Sequence, residues 1–123
     1  MFASITVPAH AESVKQVRDW VGGFNSWGFD SYVARLAVSE LVTNAVRHTS
    51  SSDVTIRIGQ ADSGTVVEVL DGSPVLPVAR PLDETAVEGR GLAMLGALVK
   101  DWGAQPLSSG GKAVWALLPQ GPK

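Results

Sequence analysis

Residues 40–48 of the chain read ELVTNAVRH, and the rest of the fold can be arranged around this stretch. Glu40, Asn44 and His48 are four residues apart, and on an α-helix such residues point in directions that differ by only about 40°. They therefore form a polar stripe at the border of the apolar face that contains Leu41. A carboxylate and a carboxamide one turn apart can position a water or a divalent cation through their oxygens. A solvated helix edge with an i, i+4 hydrogen bond would show the same spacing.

The elements on either side of this stretch follow from hydrophobic period and turn residues. Asp30 is a good N-cap for a helix from about Ser31 to His48. Alternating apolar residues predict strands and a helical period predicts further helices. In chain order these are strand 2–7, helix 14–24, the helix already named, a hairpin of strands 54–58 and 65–70, a helix from 91 to about 100, and strands 102–106 and 112–118. This order predicts an α+β two-layer sandwich, a mostly antiparallel mixed sheet covered on one face by three helices.

Two further polar signals lie at the ends of these elements. Asp71-Gly72 follows strand 65–70, and a carboxylate at the mouth of a sheet can accept a hydrogen bond from an exocyclic amine such as that of adenine. An ordinary Asp-Gly turn is the plain alternative. Residues 89–92 read GRGL where a helix begins, and the backbone N–H groups at a helix N-terminus favour phosphate. The alternative is that these glycines serve only loop flexibility and the start of the helix. The stretch is not a Walker-type phosphate loop, because Lys-Ser or Lys-Thr does not follow the glycines.

Length, charge and cysteine content narrow the possible classes. The 123 residues suit one domain spanning 1–123, and the net charge of −2 gives no reason to expect nucleic acid or an anionic membrane as a direct partner. There is no cysteine, which excludes disulfides and cysteine-based zinc sites. The start of the chain does not resemble a secretory signal, and no apolar run approaches the roughly 18–20 residues that cross a bilayer. We therefore expect a soluble cytoplasmic protein.

Taken in order, the motifs resemble the GHKL ATPase superfamily, which shares the Bergerat fold. They are Glu-x-x-x-Asn on a helix, Asp-Gly after a strand, and Gly-x-Gly at a helix start, and they cover nearly the whole chain. The short length, residues 40–48 and the ending GKAVWA at 111–116 look like the anti-sigma-factor serine kinases, especially the small actinobacterial ATP-binding regulators. The resemblance implies an ATP- and Mg²⁺-binding anti-sigma factor, often a homodimer. Such a protein phosphorylates a serine of an anti-sigma-factor antagonist and holds a sigma factor inactive.

The resemblance also implies roles by position. Glu40 would orient or deprotonate the attacking group, and Asn44 would ligate Mg²⁺. A loop at about 72–88, which shows no clear period and is interrupted by prolines, would form a lid over ATP. The other implied nucleotide-binding positions are His48 near the phosphates, Asp71 at the adenine amine, Gly72 against the base, Ser73 in an Asp-x-Ser reading of the loop start, and Gly89, Arg90, Gly91 and Leu92 around the phosphates.

One departure from the pattern bears on affinity. The branch commonly has threonine where Ala113 stands, helping to hold adenine through water. Losing one hydrogen bond of this kind costs roughly 0.5–1.5 kcal/mol, so weaker ATP binding is expected. This motivates the alternative function, a partner-switching binding module with weak or no ATP turnover.

Two enzyme classes fit less well. The catalytic half of a sensor histidine kinase would need an upstream helical hairpin with a phosphoacceptor histidine, and only His10 and His48 exist in the chain. A hydrolase built on Ser39, His48 and Asp71 would lack the nucleophile elbow that exposes such a serine.

Overall fold

The computed structural model describes residues 2–49, 51–73 and 90–122, with the side chains of 90–92 excepted. Its helices and strands follow the predicted order. The strands are β1 (Phe2–Pro8), β2 (Asp53–Ala61), β3 (Gly64–Asp71), β4 (Asp101–Pro106) and β5 (Lys112–Leu117), and the helices are α1 (Ser13–Gly22), α2 (Ser31–His48) and α3 (Arg90–Leu98). A short 3₁₀ helix, Asn25–Trp27, precedes the turn at Gly28. Among the described residues no helix is long and apolar enough to cross a membrane.

The five strands form one open sheet in the order β1-β2-β3-β5-β4. All four pairings are antiparallel, so the described sheet is antiparallel throughout rather than mixed. The central strand β3 alternates half-exposed and buried residues along its whole length. Since successive strand residues point to opposite faces, one face of the sheet is covered and the other is partly open.

The helices supply the cover on the buried face. Helix α2 packs against β3 and lies between α1 and α3, which both contact it. The residues of the apolar core come from both layers; they include Val17, Val21, Ala37, Val38, Leu41, Val42, Ile56, Ile58, Val67, Val69, Leu95, Val114 and Ala116. Truncating a fully buried leucine such as Leu41 would cost about 2–5 kcal/mol in stability. The fold is therefore the predicted α+β two-layer sandwich of Bergerat type.

Helix α2 has the predicted bounds because both of its ends are marked in the sequence. The Asp30 side chain caps the first turn, its Oδ1 accepting a hydrogen bond of 2.9 Å from the backbone N–H of Val33. Just before it, Gly28 has φ +89°, a left-handed conformation that glycine adopts without steric cost. At the other end the chain leaves the helix at Thr49, in extended conformation.

Candidate functional site

The strongest polar feature of the described structure is a buried ion pair between two neighbouring strands. Asp71 ends β3 and Lys112 begins β5, and the antiparallel register places the two residues directly opposite each other. The Lys112 Nζ lies 3.2 Å from Oδ1 of Asp71 and 3.1 Å from Oδ2. Both side chains are 0% exposed to solvent. Residues opposite each other in this way have Cβ atoms about 4.5–5.5 Å apart, so a lysine can reach a carboxylate across the pair.

The two oxygens of the Asp71 carboxylate have different surroundings. Oδ1 accepts hydrogen bonds from Lys112 Nζ and, at 2.7 Å, from the backbone N–H of Ser73. Oδ2 is within ion-pair distance of the ammonium, but it is buried and accepts no hydrogen bond within the described ranges. A buried oxygen without a hydrogen bond costs about 1–3 kcal/mol, and more when the group is charged. Oδ2 thus has the ammonium beside it and can still accept a hydrogen bond from a ligand.

Glycines allow the backbone to close tightly around this pair. A Cβ added to Gly111 would overlap the carbonyl oxygen of Asp71 and lie 3.0 Å from the Cα of Gly72. A Cβ on Gly72 would overlap the Ser51 hydroxyl, so Gly72 lies against the loop that follows α2. Gly72 itself is exposed, whereas Ser73 is buried. The end of β3, the start of β5 and the loop after α2 therefore meet at one place.

The predicted stripe on α2 lies at the border of the buried face. Glu40 and Asn44 are half-buried, between the fully buried Leu41 and Ala45 and the exposed Arg47. His48, the last residue of α2, is exposed. No hydrogen bond or ion pair within the described ranges involves the side chains of Glu40 or Asn44. Their oxygens are consequently not engaged by the protein, as a ligand-binding role requires.

The glycine-containing motif lies only partly within the described residues. Arg90, Gly91 and Leu92 form the first turn of α3, as the sequence predicts, but nothing is described of the side chains of Arg90 and Leu92. Gly89 and residues 74–88 of the predicted lid lie outside the described residues. Helix α3 packs against α2, and α2 packs against β3. The three elements that carry the predicted motifs are therefore joined through α2.

This arrangement fits adenine nucleotides on two counts. Oδ2 of Asp71 can accept a hydrogen bond from an exocyclic amine, the role predicted for this residue. The carboxamide oxygen of Asn44 is a hard donor suited to Mg²⁺. In the part of the chain that the structure describes, no group of three or more His, Cys, Asp or Glu could hold a metal ion. A magnesium ion would therefore need phosphate oxygens beside Asn44, which is how Mg²⁺ is usually bound with nucleotides.

The weaker ATP binding expected from Ala113 stays a prediction, and the register shows where this residue lies. Ala113 is paired with Leu70, one position from the Asp71–Lys112 pair. Because side chains alternate between the two faces, Ala113 points to the face of Leu70 and Trp115, away from the Asp71 side chain. A hydroxyl at position 113 would therefore lie on the other face of the sheet from the Asp71 side chain.

Lys112 is the site residue that the sequence-based interpretation missed. The signal was present, since Asp71 directly follows one predicted strand and another begins with Lys112. Using it requires knowing that β3 and β5 are neighbours, and this pairing skips β4 in the chain order.

Comparison with known proteins gives the family. No curated protein matched the chain. The family of the histidine kinase-like ATPase domain matches residues 7–117, which include all five strands and all three helices at least in part. The match is consistent with the GHKL-type ATPase superfamily that the motifs resemble. The chain belongs to the histidine kinase-like ATPase domain family.

Proposed function

We propose that this ATP-binding domain is an anti-sigma factor with protein serine kinase activity, which phosphorylates an anti-sigma-factor antagonist and sequesters a sigma factor. The observation that supports it best is the buried Asp71 carboxylate at the end of the strand on which α2 packs; its Oδ2 is ion-paired to Lys112 but accepts no hydrogen bond within the described ranges. The half-buried and unengaged Glu40 and Asn44 add the residues needed at the phosphate end.

The proposed roles follow the chemistry of each group. Asp71 accepts a hydrogen bond from the adenine amine, and Asn44 holds Mg²⁺ through its carboxamide oxygen. The γ-phosphoryl group of ATP passes to the oxygen of the substrate serine, and ADP leaves. Glu40 takes the proton from the hydroxyl of the substrate serine. A general base of this kind typically raises the reaction rate by about 10²–10⁴-fold. The backbone N–H groups at the start of α3 bind phosphate oxygens, as helix N-termini do.

Transfer of labelled phosphate from ATP to a purified antagonist protein tests the kinase activity. Glu40→Ala should lower the transfer rate by about 10²-fold or more. The matched control is Glu12→Ala, since Glu12 is exposed and makes no side-chain capping hydrogen bond at the start of α1. Undiminished transfer by Glu40→Ala would remove Glu40 from the proposed role.

The alternative of a binding module with weak or no turnover keeps its motivation, because Ala113 stands where the branch that the chain resembles commonly has threonine. It is separated from the kinase by two results taken together. A sigma factor that still binds Asn44→Ala, with no phosphate transfer by the parent, would favour the binding module. The proposed homodimer is checked separately by sedimentation of the purified chain, where a monomer at all concentrations would contradict it.

A further inference from the structure

The resemblance assigns no role to Lys112, although this is the largest fully buried side chain in the described structure. We propose that Lys112 is a positioning residue for the nucleobase. It holds Asp71 so that the site selects 6-amino purines over 6-oxo purines. The inference rests on the proposed binding of ATP at Asp71. It goes further by assigning the choice of base to a residue that does not itself contact the ligand.

The geometry of the donors carries the first step. Lys112 Nζ and the backbone N–H of Ser73 both donate to Oδ1, whereas Oδ2 has only the ammonium beside it, at 3.1 Å, among the donors of the described residues. With one oxygen held by two donors, rotation of the carboxylate is restricted. The ligand therefore meets one oxygen in one direction, as selective recognition of a single amine requires.

The charge of Lys112 carries the second step. A carboxylate that is 0% exposed is expensive without a counter-charge, and a buried acid without a partner tends to neutralise by taking up a proton. A neutral carboxyl group can donate as well as accept a hydrogen bond, so it could also bind the oxygen of a 6-oxo purine. The ammonium at 3.1 Å from Oδ2 supplies this counter-charge, and a carboxylate oxygen only accepts hydrogen bonds. Lys112 thereby excludes 6-oxo purines, whose oxygen would need a hydrogen-bond donor at Asp71.

Residues around the pair show that Lys112 cannot be merely a surface counter-ion. Its side chain is 0% exposed, and its backbone follows Gly111, where any Cβ would overlap the Asp71 carbonyl oxygen. The exposed Lys100, whose Nζ donates to the carbonyl oxygen of Ser63 at 3.0 Å, shows the ordinary alternative of a lysine at the surface. Lys100 offers the same residue type in the same chain as a control.

The experiment measures the dissociation constants of Mg-ATP and Mg-ITP, since inosine has an oxygen where adenine has its amine. The parent protein should prefer ATP by about 10- to 100-fold, the effect of one hydrogen bond to a charged group. Lys112→Met should reduce the preference to near one, while Lys100→Met should keep the parent ratio. Lys112→Met that is folded and keeps the parent ratio would overturn the proposal.

A second variant decides the case in which Lys112→Met does not fold. The double variant Asp71→Asn/Lys112→Met buries no charge between β3 and β5. The Ser73 N–H would hold the oxygen of the new carboxamide, so that its NH₂ group takes the place of Oδ2. We expect this variant to lose the preference for ATP or to favour ITP. A preference for ATP as large as the parent's would overturn the proposal. A parent that binds neither nucleotide would refute the proposed function itself, and with it this inference.

Discussion

Breaking the buried pair by Lys112→Met should destabilise the protein strongly. Methionine has nearly the length of the lysine side chain but no charge, so Asp71 would be left as a buried carboxylate without its counter-charge. Both partners are 0% exposed, so solvent does not screen their interaction. Removing one member of a buried pair typically costs about 3–5 kcal/mol, against a total stability of about 5–15 kcal/mol for a domain.

This cost translates into a large shift of the unfolding midpoint. Unfolding entropy is about 2.1 cal/mol/K per residue, or about 0.26 kcal/mol/K for the 123 residues. A loss of about 3–5 kcal/mol therefore lowers the midpoint by about 12–19 °C. Scanning calorimetry or circular dichroism of the purified variant measures this shift directly.

The chain contains a matched control for this prediction. Arg57 and Glu68 are also opposite each other across two antiparallel strands, with Nη1 and Oε1 3.0 Å apart. Their side chains are 40% and 22% exposed, so the pair is screened and should be worth less than about 1 kcal/mol. Glu68→Gln should lower the midpoint by no more than about 4 °C.

Two further results complete the test. The neutral variant Asp71→Asn/Lys112→Met should be more stable than Lys112→Met, because it buries no unpaired charge. The reasoning fails if Lys112→Met changes stability as little as Glu68→Gln does.

Two other substitutions test the local structure around the site and α2. In thermal unfolding, Gly111→Ala should destabilise the protein by about 1–3 kcal/mol, since its Cβ would meet the Asp71 backbone rather than a movable side chain. The control Gly22→Ala should be neutral or stabilising, because a Cβ at Gly22 would have nothing within 4 Å. If the Gly111 and Gly22 variants were equally stable, the tight approach would not exist in solution. Asp30→Ala should cost about 0.5–2 kcal/mol in denaturant unfolding through loss of the α2 cap, and Asp62→Ala, at an exposed turn, is its control. An equal effect of the two aspartate substitutions would show that the cap does not stabilise α2.

The sequence predicts most of this fold because its signals are local. Helix α2 was predicted to the residue, since Asp30 marks its start and a serine-rich loop its end. The alternating strands were predicted within a few residues for the same reason. The polar stripe of Glu40 and Asn44 at the edge of the buried face also follows from the helical period alone, and the structure confirms that both residues are half-buried.

What the sequence could not predict depends on pairing between distant strands. The contact between Asp71 and Lys112 exists because β5, not β4, lies beside β3, and this order is decided by packing of the whole sheet. The same register determines that Ala113 points away from Asp71. The weaker ATP binding expected from Ala113 stays a prediction.

The central claim is that Asn44 and Asp71 belong to a site for Mg-ATP, and thermal unfolding with and without Mg-ATP tests it most directly. At about 100 times its dissociation constant the ligand should add about 2.7 kcal/mol, or about 10 °C for this chain. The shift should disappear in Asn44→Ala and persist in Asn25→Ala, whose exposed Oδ1 only accepts a hydrogen bond from Ser31. No shift in the parent at ATP concentrations on the order of millimolar would contradict the account.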